Sequence, residues 1–150
     1  MTEPKIMRLP LNNQAGFSLL EILVALTLLA LAGTFVATKV FDSMQEGYIK
    51  STKIQMSGLR SSLEEYRRHC NQYPTSAQGL DALLAKPTVE PECPNYPPSG
   101  ILNANKVPVD AWSAPFNYES DGSKYLIISL GRDKKEGGEG FDKDIRSDEQ

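Results

Sequence analysis

From Phe17 to about Ala37 the chain is apolar, and the one carboxylate inside that run is Glu21. About 20 apolar residues rising about 1.5 Å each match the ~30 Å hydrocarbon core of a bilayer, so the run predicts a membrane-spanning helix. An ionisable side chain inside such a run costs about 2.5–3.5 kcal/mol on insertion scales, and Glu21 therefore calls for compensation. Past Thr38 the pattern changes. Phe41, Met44, Tyr48, Thr52, Met56, Leu59, Leu63 and Tyr66 recur every three or four positions while charges fill the other face. That periodicity predicts that the same helix continues as an amphipathic scaffold against a folded domain. It should end near His69-Cys70-Asn71, ahead of Pro74, with Gly47 and Gly58 as candidate bends that each weaken it by about 1 kcal/mol relative to Ala.

The remaining pattern predicts short elements. Thr75 as N-cap, Gln78 three residues on, and Leu80, Leu83 and Leu84 as a buried face make a short second helix that Pro87 stops. Between Lys86 and Pro108, Pro87, Pro91, Pro94, Pro97, Pro98 and Pro108 predict an irregular loop. Ala114–Glu119 and Lys124–Leu130 read as two strands joined across Ser120-Asp121-Gly122-Ser123, whose Asp-Gly is a turn signal. Trp112, just ahead of them, is expected to anchor the core. The fold class is α+β: one long helix on a small domain with a short helix, a small antiparallel sheet and a Gly-rich C-terminal loop.

Composition narrows the function. The chain has 150 residues, a net charge of −3 and a mean hydropathy of −0.36, so everything outside the apolar run is polar. Lys50, Lys53, Arg60, Arg67 and Arg68 are interleaved with Glu46, Glu64 and Glu65, a solvated helix face rather than a nucleic-acid surface. No catalytic constellation emerges, since the sole histidine, His69, lies at a charged helix end without a nucleophile elbow nearby. Cys70 and Cys93 are the only cysteines. At a helix end and in a Pro-rich loop they favour one disulfide over two free thiols, closing a loop of roughly two dozen residues for about 3 kcal/mol.

The C-terminal stretch from Ser129 to Ile145 joins acidic side chains to Gly131, Gly137, Gly138 and Gly140. Hard oxygen donors on a backbone free to turn its carbonyls inward suit calcium, where zinc would require His or Cys and magnesium a stricter octahedron. The spacing is not that of an EF-hand, and composition alone favours a solvated acidic turn.

The residues ahead of the apolar run carry a resemblance. Lys5 and Arg8 lie upstream, Gly16 precedes Phe17-Ser18-Leu19-Leu20-Glu21, and no Ala-x-Ala-like site closes the run, the reverse of a secretory signal peptide. This arrangement resembles a type IV prepilin leader. The resemblance implies cleavage between Gly16 and Phe17 by a membrane-embedded prepilin peptidase, N-methylation of Phe17, and a mature chain in which Glu21 is the fifth residue. There Glu21 would meet the positive terminus of a neighbouring subunit in a filament, or, before assembly, snorkel to lipid headgroups. The implied organisation is a cleaved leader over 1–16, a long helix over 17–70 that spans the membrane to about 38, and a periplasmic domain over 71–150.

Three phrases resemble the major pseudopilins (G-type) of type II secretion systems, within the type IV pilin-like superfamily: Tyr73 to Leu83 throughout, Asp110 to Tyr118 with Ala111 and Ser113 in place of the usual Pro and Gly, and Ser129 to Ile145. In that family the last phrase binds calcium. Carried over by position, Leu130 gives a carbonyl, Asp133 a carboxylate, Asp142 and Asp144 further carboxylates, with Glu139 and the carbonyl of Lys135 as additional donors. Arg132 replaces a common small residue, Arg146 to Gln150 replaces the usual Asn-Trp ending, and the Pro common near Thr38 is absent. The implied function is structural: a homo-oligomeric periplasmic filament, anchored as single-pass subunits in the bacterial inner membrane. With minor pseudopilins, the assembly platform and its ATPase, it would drive folded proteins through an outer-membrane channel. The alternatives are a type IV pilus or competence pilin, and a solitary membrane-anchored calcium-binding domain.

Overall fold

The computed structural model describes residues 16–149. The leader up to residue 15 lies outside them. Helix α1 runs from Leu19 to Cys70, 52 residues, through Gly47 and Gly58 without interruption. The chain divides into two compact units at Val40 and Phe41, inside this helix. In the first, an 18-residue window with mean hydropathy 2.4 has none of its residues buried, so the helix is long and apolar enough to cross a membrane.

In the second unit the helix buries one face. Gln45, Thr52, Met56, Leu59, Leu63, Tyr66 and Cys70 are buried and Ile49 packs against the same cluster, spacings of three and four residues that keep one stripe inward. The expected start of the stripe is corrected. Phe41, Met44 and Tyr48 are exposed at 48%, 51% and 37%, because the inward row passes through Gln45 and Ile49 instead. The helix ends where the sequence predicts. Asn71 takes φ 60°, and its N–H donates to the Arg67 carbonyl at 2.8 Å, a left-handed cap that satisfies one of the last carbonyls. Arg67, Arg68 and His69 in the final turn complement the helix dipole.

The predicted capping box forms only in half. The Gln78 carboxamide accepts the Thr75 N–H at 3.0 Å, but the Thr75 hydroxyl is buried without a hydrogen-bond partner among the described residues. Gln78 instead turns its amide to the Val89 and Pro91 carbonyls, both at 2.8 Å, and fastens the irregular loop. In place of the expected second helix there is a single 3-10 turn, Leu80–Leu83. The Leu83 carbonyl accepts the N–H groups of Ile101 and Leu102, and Cys93, fully buried, is bridged to Cys70. The loop is thus tied at three places despite having no regular element.

Strands β1 (Asn117–Ser120) and β2 (Tyr125–Ser129) form the expected hairpin, pairing Asn117 with Ile128 and Ser120 with Tyr125. Asp121 makes the turn: its Oδ1 accepts the N–H groups of Ser123 and Lys124 at 2.8 and 2.9 Å. A third strand, β3 (Ile145–Arg146), pairs antiparallel with the far edge of β2, giving the order β1-β2-β3. Ile127, Ile145 and Phe116 join Met56, Leu59, Leu63 and Tyr66 in one core between sheet and helix. Tyr73 closes its edge against Tyr125, with ring centroids 4.6 Å apart, and its hydroxyl donates to Glu64 at 2.7 Å.

Candidate functional site

Two regions carry the residues singled out from the sequence. At the N-terminal end Gly16, Phe17 and Ser18 precede the helix, and the Ser18 carbonyl accepts the Ile22 N–H at 3.1 Å. Phe17 is 77% exposed. Glu21 stands in the first turn, where its negative charge suits the helix dipole. It lines an open apolar groove with Phe17, Ile22, Ala25 and Leu26 and has no ion-pair or hydrogen-bond partner among the described residues. A carboxylate displayed this way on an apolar helix leaves its charge for another chain, or for water, to balance.

The second region is the loop from Leu130 to Asp144, returned to the sheet by β3. Its entrance is built from buried polar groups. Asp110, 4% exposed, accepts the N–H groups of Trp112 and Ala114 at 3.0 and 2.7 Å through Oδ1, and the Ser129 hydroxyl at 2.7 Å through Oδ2. The Thr52 hydroxyl accepts the Ala111 N–H at 3.1 Å, and Gln45 accepts the indole N–H of Trp112 at 3.3 Å. Asp110 therefore fixes the start of the loop to the turn that carries Trp112, which itself stands edge-on to Tyr48. Sequence reasoning singled out Asp110 only as the start of the Asp110 to Tyr118 phrase and missed this role. The usable signal was the Asp-x-Trp-x-x-Pro spacing, in which a short acceptor can cap its own turn.

Within the loop the two arms lie against each other. Gly131 has φ 65°, and a Cβ there would come within 2.9 Å of the Lys143 carbonyl. At Gly138, φ 79°, a Cβ would strike the Asp142 carbonyl. The donors expected for calcium are distributed unequally. Asp133 Oδ1 accepts the Lys135 N–H at 3.1 Å, and Asp144 Oδ2 accepts the Gly137 N–H at 3.0 Å. The other Asp144 oxygen, Oδ1, is buried with no hydrogen-bond partner among the described residues. Asp142 is engaged: Arg132 donates from Nε to Oδ1 at 2.8 Å and from Nη2 to Oδ2 at 2.9 Å. The hydrogen bonds from Arg132 hold the Asp142 carboxyl below its ordinary range. Glu139 is exposed and contributes its carbonyl to the Asp142 N–H. Among the described residues no three acidic, His or Cys side chains converge as a metal-binding group, so a cation here would depend on main-chain carbonyls. One donor has the chemistry a hard cation takes: Asp144 Oδ1 is a buried carboxylate oxygen that no hydrogen-bond donor satisfies among the described residues.

Comparison with known proteins bears on both regions. Residues 39–148 match the family described as Type II secretion system (T2SS), protein G, and residues 11–37 match the prokaryotic N-terminal methylation motif. The type II secretion system core protein G of Pseudomonas aeruginosa is 35% identical over 136 residues, covering 89% of this chain and 94% of its own. The protein of the same name from Vibrio cholerae is 34% identical over 137 residues, covering 90% and 92%. The crystal structure of the major pseudopilin from the type 2 secretion system of enterohaemorrhagic Escherichia coli superposes with a TM-score of 0.60 at 32% identity, over 70% of this chain and 90% of that one.

Proposed function

Because the chain belongs to the type II secretion system protein G family, we propose that it is the major subunit of a secretion pseudopilus, a structural part with no reaction of its own. The observation that carries the reading is Glu21, a carboxylate without an intrachain partner among the described residues, on a helix that contains an 18-residue stretch of mean hydropathy 2.4. Cleavage between Gly16 and Phe17 by prepilin peptidase would create a cationic terminus one helical turn from Glu21. In a stack of staggered helices that terminus compensates the Glu21 of a neighbour, so assembly removes the charge penalty that the membrane imposes. The subunit waits in the inner membrane with its C-terminal domain in the periplasm. Minor pseudopilins, the assembly platform and its ATPase then extract it into the filament. Exported proteins move by mechanical displacement.

Calcium belongs to this proposal. Asp133 and Asp144, with the carbonyls of Leu130 and Lys135, are the residues that would hold it, and the buried, unsatisfied Asp144 Oδ1 supports them. A bound ion supplies neutralising charge and adds stability by mass action, about 2.7 kcal/mol at a hundredfold excess over its Kd.

Replacing Glu21 by Leu tests the assembly step. The variant should be processed, with mass spectrometry finding a mature chain that begins at methylated Phe17, yet sheared filaments should be lost. Filaments of normal abundance from Glu21→Leu would overturn the pairing.

A further inference from the structure

Arg132 and Asp142 lie ten residues apart at opposite ends of the loop, and a two-pronged guanidinium contact at 2.8 and 2.9 Å joins them. A fork of this kind takes the same edge of the carboxylate that a bidentate calcium ion would need. The contact is not a long side chain reaching across open water. The Arg132 N–H also donates to the Phe141 carbonyl at 3.4 Å, and Gly131 lets the 131–132 backbone lie against the carbonyls of Asp142 and Lys143. Backbone and side chain together hold the arginine on Asp142, with 39% and 31% of the two side chains left exposed. Closing two arms of a Gly-rich loop around a positive charge is also what a bound cation would do. Here the positive charge is part of the chain.

We propose that Arg132 competes with calcium for Asp142, so that this loop is partly closed by its own guanidinium and binds the ion more weakly than its carboxylates alone would allow. The proposal rests on the calcium reading above and concerns which residues are free to serve it. Arg132 withdraws Asp142 from the donor set and places a positive charge beside the remaining donors. Asp133 and Asp144 are left to the ion. Because the fork spans the loop, the loop keeps its closure in calcium-free solution, and calcium adds less than it would to a loop without the arginine.

The test is calorimetric titration of calcium into the full chain, purified in detergent and freed of metal, for the native protein, Arg132→Ala, Arg132→Gln and Arg132→Ala/Asp142→Ala. Thermal unfolding in chelator accompanies each. Removing the arginine should tighten calcium binding about tenfold. The gain should disappear in the double variant. Arg132→Gln, which keeps most of the stem, should act in the same direction if Arg132→Ala folds poorly. In chelator both single variants should melt below the native chain, and calcium should restore them. Binding by Arg132→Ala but not by the native chain would also support the proposal, since it would show the ion displaced outright. Equal affinity in native and arginine-free chains would overturn the competition while leaving the calcium reading intact. No binding by any chain at millimolar calcium would remove the calcium reading, and the competition with it.

Discussion

Ser113 holds φ 61° at a position where its Cβ crowds the backbone, as the fourth residue of the turn that Asp110 caps. Glycine adopts that region without the crowding, at some extra cost in chain entropy, so Ser113→Gly should stabilise the domain by about 0.5–1 kcal/mol, read as a raised thermal midpoint. Asp121 makes a second prediction. The Lys124 N–H, then the Ser123 hydroxyl and N–H, lower its carboxyl from 3.8 to about 2. A carboxyl lowered on folding stabilises the folded state fully above its ordinary value and loses that contribution as pH falls through the folded one. The β1–β2 turn should therefore keep its amide NMR shifts down to about pH 4 and lose them towards about pH 2, and Asp121→Ala should abolish the transition. Such residues were partly legible in advance. Asp121-Gly122 is a short-range signal. The buried acceptor role of Asp110, and the grip of Arg132 on Asp142, depend on partners 19 and 10 residues distant, which local pattern does not encode.

The long helix was readable because two simple periods define it, all-apolar to about Ala37 and then a three-to-four stripe. Its registration was less so. A stripe that includes Phe41 and Met44 differs by one position from the row through Gln45 and Ile49, and tertiary contacts chose the row in which Gln45 reaches Trp112. The two-residue strand β3 offers no pattern long enough to detect, and it exists because β2 presents a free edge beside the returning loop. Gln78 has the spacing of a helix cap and serves chiefly as a clamp on the Pro-rich loop. The bridge from Cys70 to Cys93 ties that loop to the end of α1 across a separation of 23 residues. Its removal should lower stability by roughly 3 kcal/mol through the freedom returned to the unfolded chain. Unfolding of the native chain with and without reductant, against a Cys70→Ser/Cys93→Ser control that reductant leaves unchanged, measures it.

At the scale of the molecule, two units meet different solvents. Among the described residues the first is an exposed apolar helix whose single carboxylate, Glu21, lies near its start; the other is a small domain whose core spans helix and sheet. A soluble role for the first unit would leave its exposed leucines in water, at roughly 25 cal/mol for each Å² of apolar surface. In the proposed function lipid, and then neighbouring helices, would remove that cost. The domain in turn gives the helix a folded head stiffened by a disulfide and a closed loop, suited to repetition along a filament. The measurement that tests this account most directly is the location of exported proteins in a strain whose copy of this chain has been deleted. Folded exoproteins should accumulate in the periplasm and return to the medium when the native chain is restored. Normal secretion by the deletion strain, with surface fibres lost instead, would contradict the secretion role and make the chain a pilus subunit.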